Sequence, residues 1–368
     1  MQIVIAPDKF KGSLSASGVA AALRRGVLAA HPDWTVRCAP VADGGDGTVA
    51  AAIAAGYDAV HVDTVGPTGV ASTATYAMRA DRAVVELANA VGLVLLPDGR
   101  LDPLGASTFG LGVVIRHALD RGAAEVVIGL GGSASTDGGA GMLTALGAKV
   151  LDESDSVVGR GGAALLDAVR LDLGALHPAV AHTQFVLACD VDSPLVGPNG
   201  ATAVFGRQKG ATDEDLRILE AAMTRWAEIA TAATGLDPRD EAGAGAAGGT
   251  GFGAMAVLGA KQRSGIDIVL ELIDFDAQLA GADLVVTGEG SLDEQSLQGK
   301  APVGVASRAK ATGVRVVAVA GRSVLTPEQL HAAGIEAVHT LAELEPDLQR
   351  SMANAEALLE QLGRNLVL

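Results

Sequence analysis

Aromatic residues make up only 3% of this 368-residue chain, and cysteine occurs just twice. So few rings argue against an aromatic-rich binding surface and favour small-residue helices packed closely on a sheet. Cys38 and Cys189 lie far apart, outside any C-x-x-C pair and each within an apolar, strand-like stretch. Both are expected to be reduced core residues without a redox role. Positive charge is also short: 27 basic against 43 acidic residues leave a net charge of −16, with no Lys/Arg run. That balance excludes nucleic acid and anionic membrane as partners and leaves a small anion only a locally arranged site. No apolar run approaches the ~20 residues of a membrane span. No basic-then-apolar region precedes MQIVIA either, so a cytoplasmic protein is expected. The seven histidines lack metal-ligand spacing, and no G-x-S-x-G surrounds a serine. A G-x-x-x-x-G-K-[ST] phosphate loop is missing as well, because Glu294 stands where its first glycine would be needed.

What is present is apolar bulk, 49% of the chain, and 48 glycines. That is ample for two domains. Gln2 to Ala6 reads as a buried strand, followed by the loop Pro7–Gly12 and a helix capped by Ser13 or Ser15, with Val19, Leu23, Val27 and Ala30 at helical spacing. A strand over Thr35–Val41 and a helix from Thr48 complete a βαβα opening. From Val60 to Glu86 short Val/Thr/Ala runs predict an antiparallel meander. Strand–helix alternation returns at Val126–Leu130 and Phe185–Cys189. Three late strands, Leu284–Thr287, Val314–Ala318 and Ala337–His339, resemble the opening. The fold class is therefore α/β in two domains: a discontinuous Rossmann-like parallel-sheet domain (1–62 and 284–368) and an inserted mixed α/β domain (63–283).

The most unusual stretch is Gly129–Gly141, between a strand and a helix-like run. Its glycines let backbone approach a phosphate closely, and N–H groups at a helix start favour an anion. Gly131, Gly132, Ser133, Ala134, Asp137, Gly138 and Gly139 are the expected nucleotide-phosphate contacts, the alternative being a tight packing turn. A dinucleotide reading also exists, with Gly129-x-Gly131-x-x-Ala134 and Asp152 some twenty residues on, but it leaves the extra glycines and Asp137 unexplained. Lys9 and Lys11 follow the first strand, where open α/β sheets place ligands. Asp43 and Asp46 hold the equivalent place after the second, and carboxylates in a Gly-rich loop suit magnesium. Asp190 and Asp192 follow Phe185–Cys189, placed for a general base, a metal ligand or a cap. Arg207 and Lys209 lie between glycines, and Glu289 and Lys300 follow the late strand.

Taken in order, these segments resemble the bacterial type-1 glycerate kinases. The likeness runs through Ala6–Ser15, Ala42–Thr48, Gly131–Ala134 with Asp137–Gly141, Phe205–Ala211, Gly249–Phe252, and Thr287–Gly290 with Gly299–Pro302. The family usually has Asn where this chain has Thr136, and Pro at Arg207. The resemblance implies magnesium-dependent phosphoryl transfer from ATP to glycerate in a cleft between two α/β domains. It implies 2-phosphoglycerate as product, with 3-phosphorylation as the alternative and an NAD-dependent dehydrogenase or a non-catalytic anion binder as rival classes. On this reading ATP is held by the Gly-rich loop with Lys209, Glu289 and Lys300, and magnesium by Asp43 and Asp46. Lys9 and Lys11 compensate charge. Asp190 is the first choice as proton acceptor among Asp8, Asp43, Asp46, Asp137, Asp190 and Glu289.

Overall fold

The computed structural model describes residues 1–366, with only the backbone considered at Gln298. Its strands run β1 Gln2–Pro7, β2 Thr35–Cys38, β3 Asp58–Val65, β4 Ala71–Arg79, β5 Arg82–Glu86, β6 Glu125–Gly129 and β7 Lys149–Leu151. They continue with β8 Arg170–Asp172, β9 Gln184–Ala188, β10 Lys261–Arg263, β11 Leu284–Leu292, β12 Arg315–Ser323 and β13 Ala337–Thr340. The chain forms two compact units, Met1–Gly56 with Ser264–Leu368, and Tyr57–Arg263.

The first unit holds a five-stranded sheet in the order β13-β12-β11-β1-β2, with every pair parallel. Alternation along the strands builds two cores. Ile3, Ile5, Leu284, Val286, Val317 and Val319 face one side, where the helices Ala16–Ala30 and Ala355–Arg364 pack. Val4, Ala6, Val285, Val316 and Ala318 face the other, with residues of Gly265–Leu272 and Ala301–Ala311. Burial on both faces is why these strands read as continuous apolar runs. Ser15 caps the first helix, its Oγ accepting from Gly18 N at 3.1 Å. From β1 the chain crosses to β2 on one side, whereas from β11 it proceeds through β12 to β13 on the other. The strand order therefore reverses between β1 and β11, the point at which open α/β sheets bind ligands.

The second unit carries a six-stranded sheet, β10-β9-β6-β5-β4-β3, antiparallel from β3 to β5 and parallel onward. A separate antiparallel pair joins β7 to β8. The α/β class and the meander are as expected, but the boundaries at 62 and 283 shift to 56 and 263. All of β3 is paired with β4, so it cannot be divided at residue 62. The helix Gly265–Leu272 packs on Thr48–Ala54 and Ala301–Ala311, so it belongs to the first unit. β2 stops at Cys38, not Val41, and Cys38 is exposed while Cys189 is buried, correcting the expectation of two core thiols.

Candidate active site

At the strand-order reversal the chain leaves β1 through Asp8, whose N–H donates to Gly288 O of β11 at 2.8 Å. Thr287 Oγ1 ties the same strands by donating to Ala6 O at 2.9 Å. This stitching fixes Asp8 beside Glu289, and both line a cavity of about 420 Å³ with Lys9, Lys11, Asp43, Lys300 and Arg322. A second cavity of about 390 Å³ adjoins the same loop and is lined by Asp8, Lys9, Lys11 and Asp46.

Asp8 is only 7% exposed. Burial raises its carboxyl to about 7, with Lys9 opposing and the charges of Asp43 and Glu289 reinforcing. Its Oδ1 accepts from Lys9 N at 2.6 Å. Lys9 Nζ lies 4.0 Å from the Asp8 carboxylate and 3.8 Å from that of Asp46, and donates to Asp46 O at 2.5 Å. Burial also pushes Glu289 up, against the Ser296 hydroxyl and Lys300 charge, while Asp293 and Asp43 add to the rise. One Glu289 oxygen, Oε1, is buried without a hydrogen-bond partner. An orphaned carboxylate oxygen is costly unless something cationic or donating meets it.

That orphan tests the magnesium expectation. Among the described residues no three His, Cys, Asp or Glu side chains form a ready-made cage. Magnesium needs none, since it binds through one or two carboxylates and keeps waters and phosphate oxygens. Asp43 and Glu289 fit that donor set. Asp46, the other expected ligand, lines the adjoining cavity and lies 3.8 Å from Lys9. Lys11 is exposed at the rim, and Lys300 stands at the N-cap position of the helix Ala301–Ala311 without a side-chain capping bond, its Nζ donating to Gln295 Oε1 at 3.4 Å.

The Gly-rich loop of the second unit is mostly sealed. Gly131 and Gly132 reach the surface, but Ser133, Ala134, Asp137, Gly138 and Gly139 are buried. Gly138 has φ +61°, and an added Cβ would stand 2.4 Å from Trp226 Cδ1. Its N–H donates to Gly248 O at 3.0 Å, and its carbonyl accepts from Trp226 Nε1 at 2.9 Å. The loop's glycines thus serve close packing against Gly248, Thr250 and Gly253. Ala140–Ala145 is a helix of six residues with a buried start.

Asp137 is likewise a staple. Its Oδ2 accepts from Thr108 N at 2.7 Å, Thr108 Oγ1 at 2.9 Å, Ser107 Oγ at 3.1 Å and Gly141 N at 3.2 Å. Burial still raises its carboxyl despite these donors. Lys209 is 2% exposed and donates Nζ to Ser135 O at 2.5 Å. Burial lowers it to about 7, with the Asp137 charge opposing. Thr136 is fully buried with Oγ1 unpartnered, while Arg207 pairs with Asp213 on the surface. Asp190 lies two residues beyond β9 and is exposed, so the strand does not seat its carboxylate in a closed pocket. Asp152 accepts Ser154 N at 2.8 Å and Ser156 N at 2.9 Å in a surface turn, leaving no ribose-binding acid for the dinucleotide reading.

The comparisons with known proteins agree with the motifs. The model of the glycerate kinase family matches residues 3–368. A glycerate kinase of Bacillus subtilis (strain 168) is 43% identical, covering 100% of this chain and 97% of its own length. A glycerate 2-kinase of Escherichia coli (strain K12) is 41% identical, with 100% and 97% covered. The crystal structure of a presumed glycerate kinase 2 from Salmonella typhimurium LT2 superposes with a TM-score of 0.86 at 42% identity, over 100% of this chain and 97% of that one. The chain is an enzyme belonging to the glycerate kinase family.

Proposed function

We propose that this enzyme transfers the γ-phosphate of ATP to the 2-hydroxyl of D-glycerate, with magnesium, in the cytoplasm. The observation that supports it most is the mixed-charge cavity at the strand-order reversal. There, the buried Asp8 and the half-buried Glu289 stand with Lys9, Lys11 and Lys300 in one unit of the fold. Phosphoryl transfer needs little covalent help from protein; it needs positioning, charge compensation and somewhere for the hydroxyl proton to go. Asp8 meets the last need better than Asp190. It is rigidly seated by its own backbone bond and that of Lys9, and a carboxyl titrating near 7 is matched to proton acceptance at neutral pH. Lys9, Lys11 and Lys300 supply positive charge for the transferring phosphoryl group. Asp43 and Glu289 would hold magnesium, which neutralises phosphate charge when bound. In the second unit, Gly131 and Gly132 are the loop positions still open to a nucleotide phosphate.

The relative named glycerate 2-kinase supports the 2-hydroxyl as the acceptor. The test is direct: incubate the purified protein with magnesium, ATP and D-glycerate, and read ADP release and the phosphorus NMR spectrum of the product. Glycerate-dependent ADP with a 2-phosphoglycerate resonance is expected. ADP release that ignores glycerate would overturn the reading, and a 3-phosphoglycerate resonance would overturn its regiochemistry.

A further inference from the structure

β11 and β12 stay paired beyond the point where Asp8 leaves β1, and Ser291 stands opposite Arg322 in that extension. Arg322 Nε donates to Ser291 Oγ at 3.2 Å, and both residues line the 420 Å³ cavity. Arg25, Arg308, Arg315 and Arg364 of the same unit each meet a carboxylate within ion-pair distance. Arg24 and Arg37 lie outside this cavity, Arg37 meeting Gln2 and Ala280 O instead. Arg322 forms no such pair among the described residues, although Asp43, Glu289 and Asp293 line the same cavity. Its neighbour Lys9 is already engaged with Asp8 and Asp46.

A substrate with a carboxylate meets a mixed wall at the strand-order reversal, where Asp8, Asp43, Glu289 and Asp293 stand beside Lys9, Lys11 and Lys300, so it needs a cation that is not already neutralised. The cation that admits it must be anchored and must present two parallel donors. Fixing Nε on Ser291 orients the guanidinium plane while leaving its terminal nitrogens to act as a fork, the geometry that matches a carboxylate. From this placement we infer that Arg322 is the carboxylate clamp that selects a hydroxy acid over a neutral polyol, with Ser291 as its positioning residue. This inference rests on the glycerate reading above and adds the group that recognises the acid.

The experiment is steady-state kinetics of wild type, Arg322→Gln, Arg322→Lys and Ser291→Ala, with D-glycerate and with glycerol as the acceptor lacking the carboxylate. Arg322→Gln is expected to raise KM for glycerate on the order of 10–100-fold, the usual range for a lost charge-assisted pair. KM for ATP should move less than about threefold, and the preference for glycerate over glycerol should fall with the glycerate KM effect. Arg322→Lys should recover part of the loss and Ser291→Ala should show a smaller one. Independently of any variant, glycerate should shield Arg322 from an arginine-selective dicarbonyl reagent, read by peptide mass mapping of the wild-type enzyme. Wild-type turnover of glycerate with an unchanged KM in Arg322→Gln, a loss falling on ATP instead, or no shielding would overturn the clamp alone. A wild type that never phosphorylates glycerate would overturn the substrate reading along with it.

Discussion

Asp8 and Lys209 are both moved to about 7 by burial, from opposite directions and in different units of the molecule. Asp8 lines two cavities in the company of lysines and other carboxylates. Lys209 is closed in against a backbone carbonyl at 2.5 Å, under the glycines that looked most like a phosphate loop. Burial alone shifts a titrating group; access decides whether the shift serves chemistry or packing. On the proposed function the proton chemistry falls to the Asp8 cavity, while the buried part of the Gly-rich segment is held by packing.

The sharpest way to break that contrast is to remove one carboxylate from each region. Asp137→Ala strands several buried donors and is expected to cost about 3–5 kcal/mol, or to leave no soluble protein, by urea denaturation. Asp43→Ala should leave stability within about 1 kcal/mol while raising the magnesium requirement for turnover. If Asp137→Ala were stable and Asp43→Ala unfolded, the roles would be exchanged.

Linkage offers a second probe, with opposite signs. Between 3.8 and about 7 the folded state keeps an Asp8 proton that the unfolded chain has lost, so this group's contribution to stability falls as pH rises. Between about 7 and 10.5 the unfolded chain keeps a Lys209 proton that the folded state lacks, so that contribution rises with pH. Each slope is on the order of 1 kcal/mol per pH unit. Asp8→Asn should abolish the first and Lys209→Met the second, measured as differences from wild type in urea midpoints across pH. A variant that keeps its wild-type slope would refute the corresponding assignment.

Glycine substitutions separate the open from the sealed part of the loop. Gly138→Ala drives a Cβ into Trp226 and should cost several kcal/mol. Gly132→Ala, with φ +65° and its nearest neighbour, Ala88 Cβ, 3.3 Å away, should cost about 1 kcal/mol while weakening ATP binding. Equal stability losses with unchanged ATP binding would make Gly132 a packing residue too. The smallest expected effect is at Thr136, where a buried hydroxyl has no partner. Thr136→Val keeps the shape and should be neutral or up to about 1 kcal/mol more stable by thermal denaturation; a loss above that would reveal a hidden partner for Oγ1.

The parallel sheet was legible because its strands are buried on both faces and read as unbroken runs such as Ile3-Val4-Ile5 and Leu284-Val285-Val286. Domain limits were not, since β3 reads as a strand either way and only its pairing with β4 assigns it. Lys9, Lys11, Asp43, Glu289 and Lys300 stood out in the sequence because each lies in or after a strand-like run, and all five line the cavity at the strand-order reversal. The glycines left two readings open because close packing and close phosphate approach demand the same residue, and the packing partners of Gly138, Trp226 and Gly248, lie about 90 and 110 residues away in sequence. Arg322 sits in no motif, and nothing but the extended β11–β12 pairing brings it to the cavity. The proposed preference for Asp8 over Asp190 could not be drawn from sequence, which shows a strand end but not which strand lies at the reversal.

The most direct test of the central assignment is the pH dependence of kcat/KM for glycerate in wild type and Asp8→Asn. With Asp8 as proton acceptor, the wild-type profile should climb through about 7 and level off above it. Asp8→Asn should lie about 10²–10⁴-fold lower and lose that limb. An Asp8→Asn profile that keeps the wild-type limb near wild-type rates would contradict the assignment and place the base elsewhere.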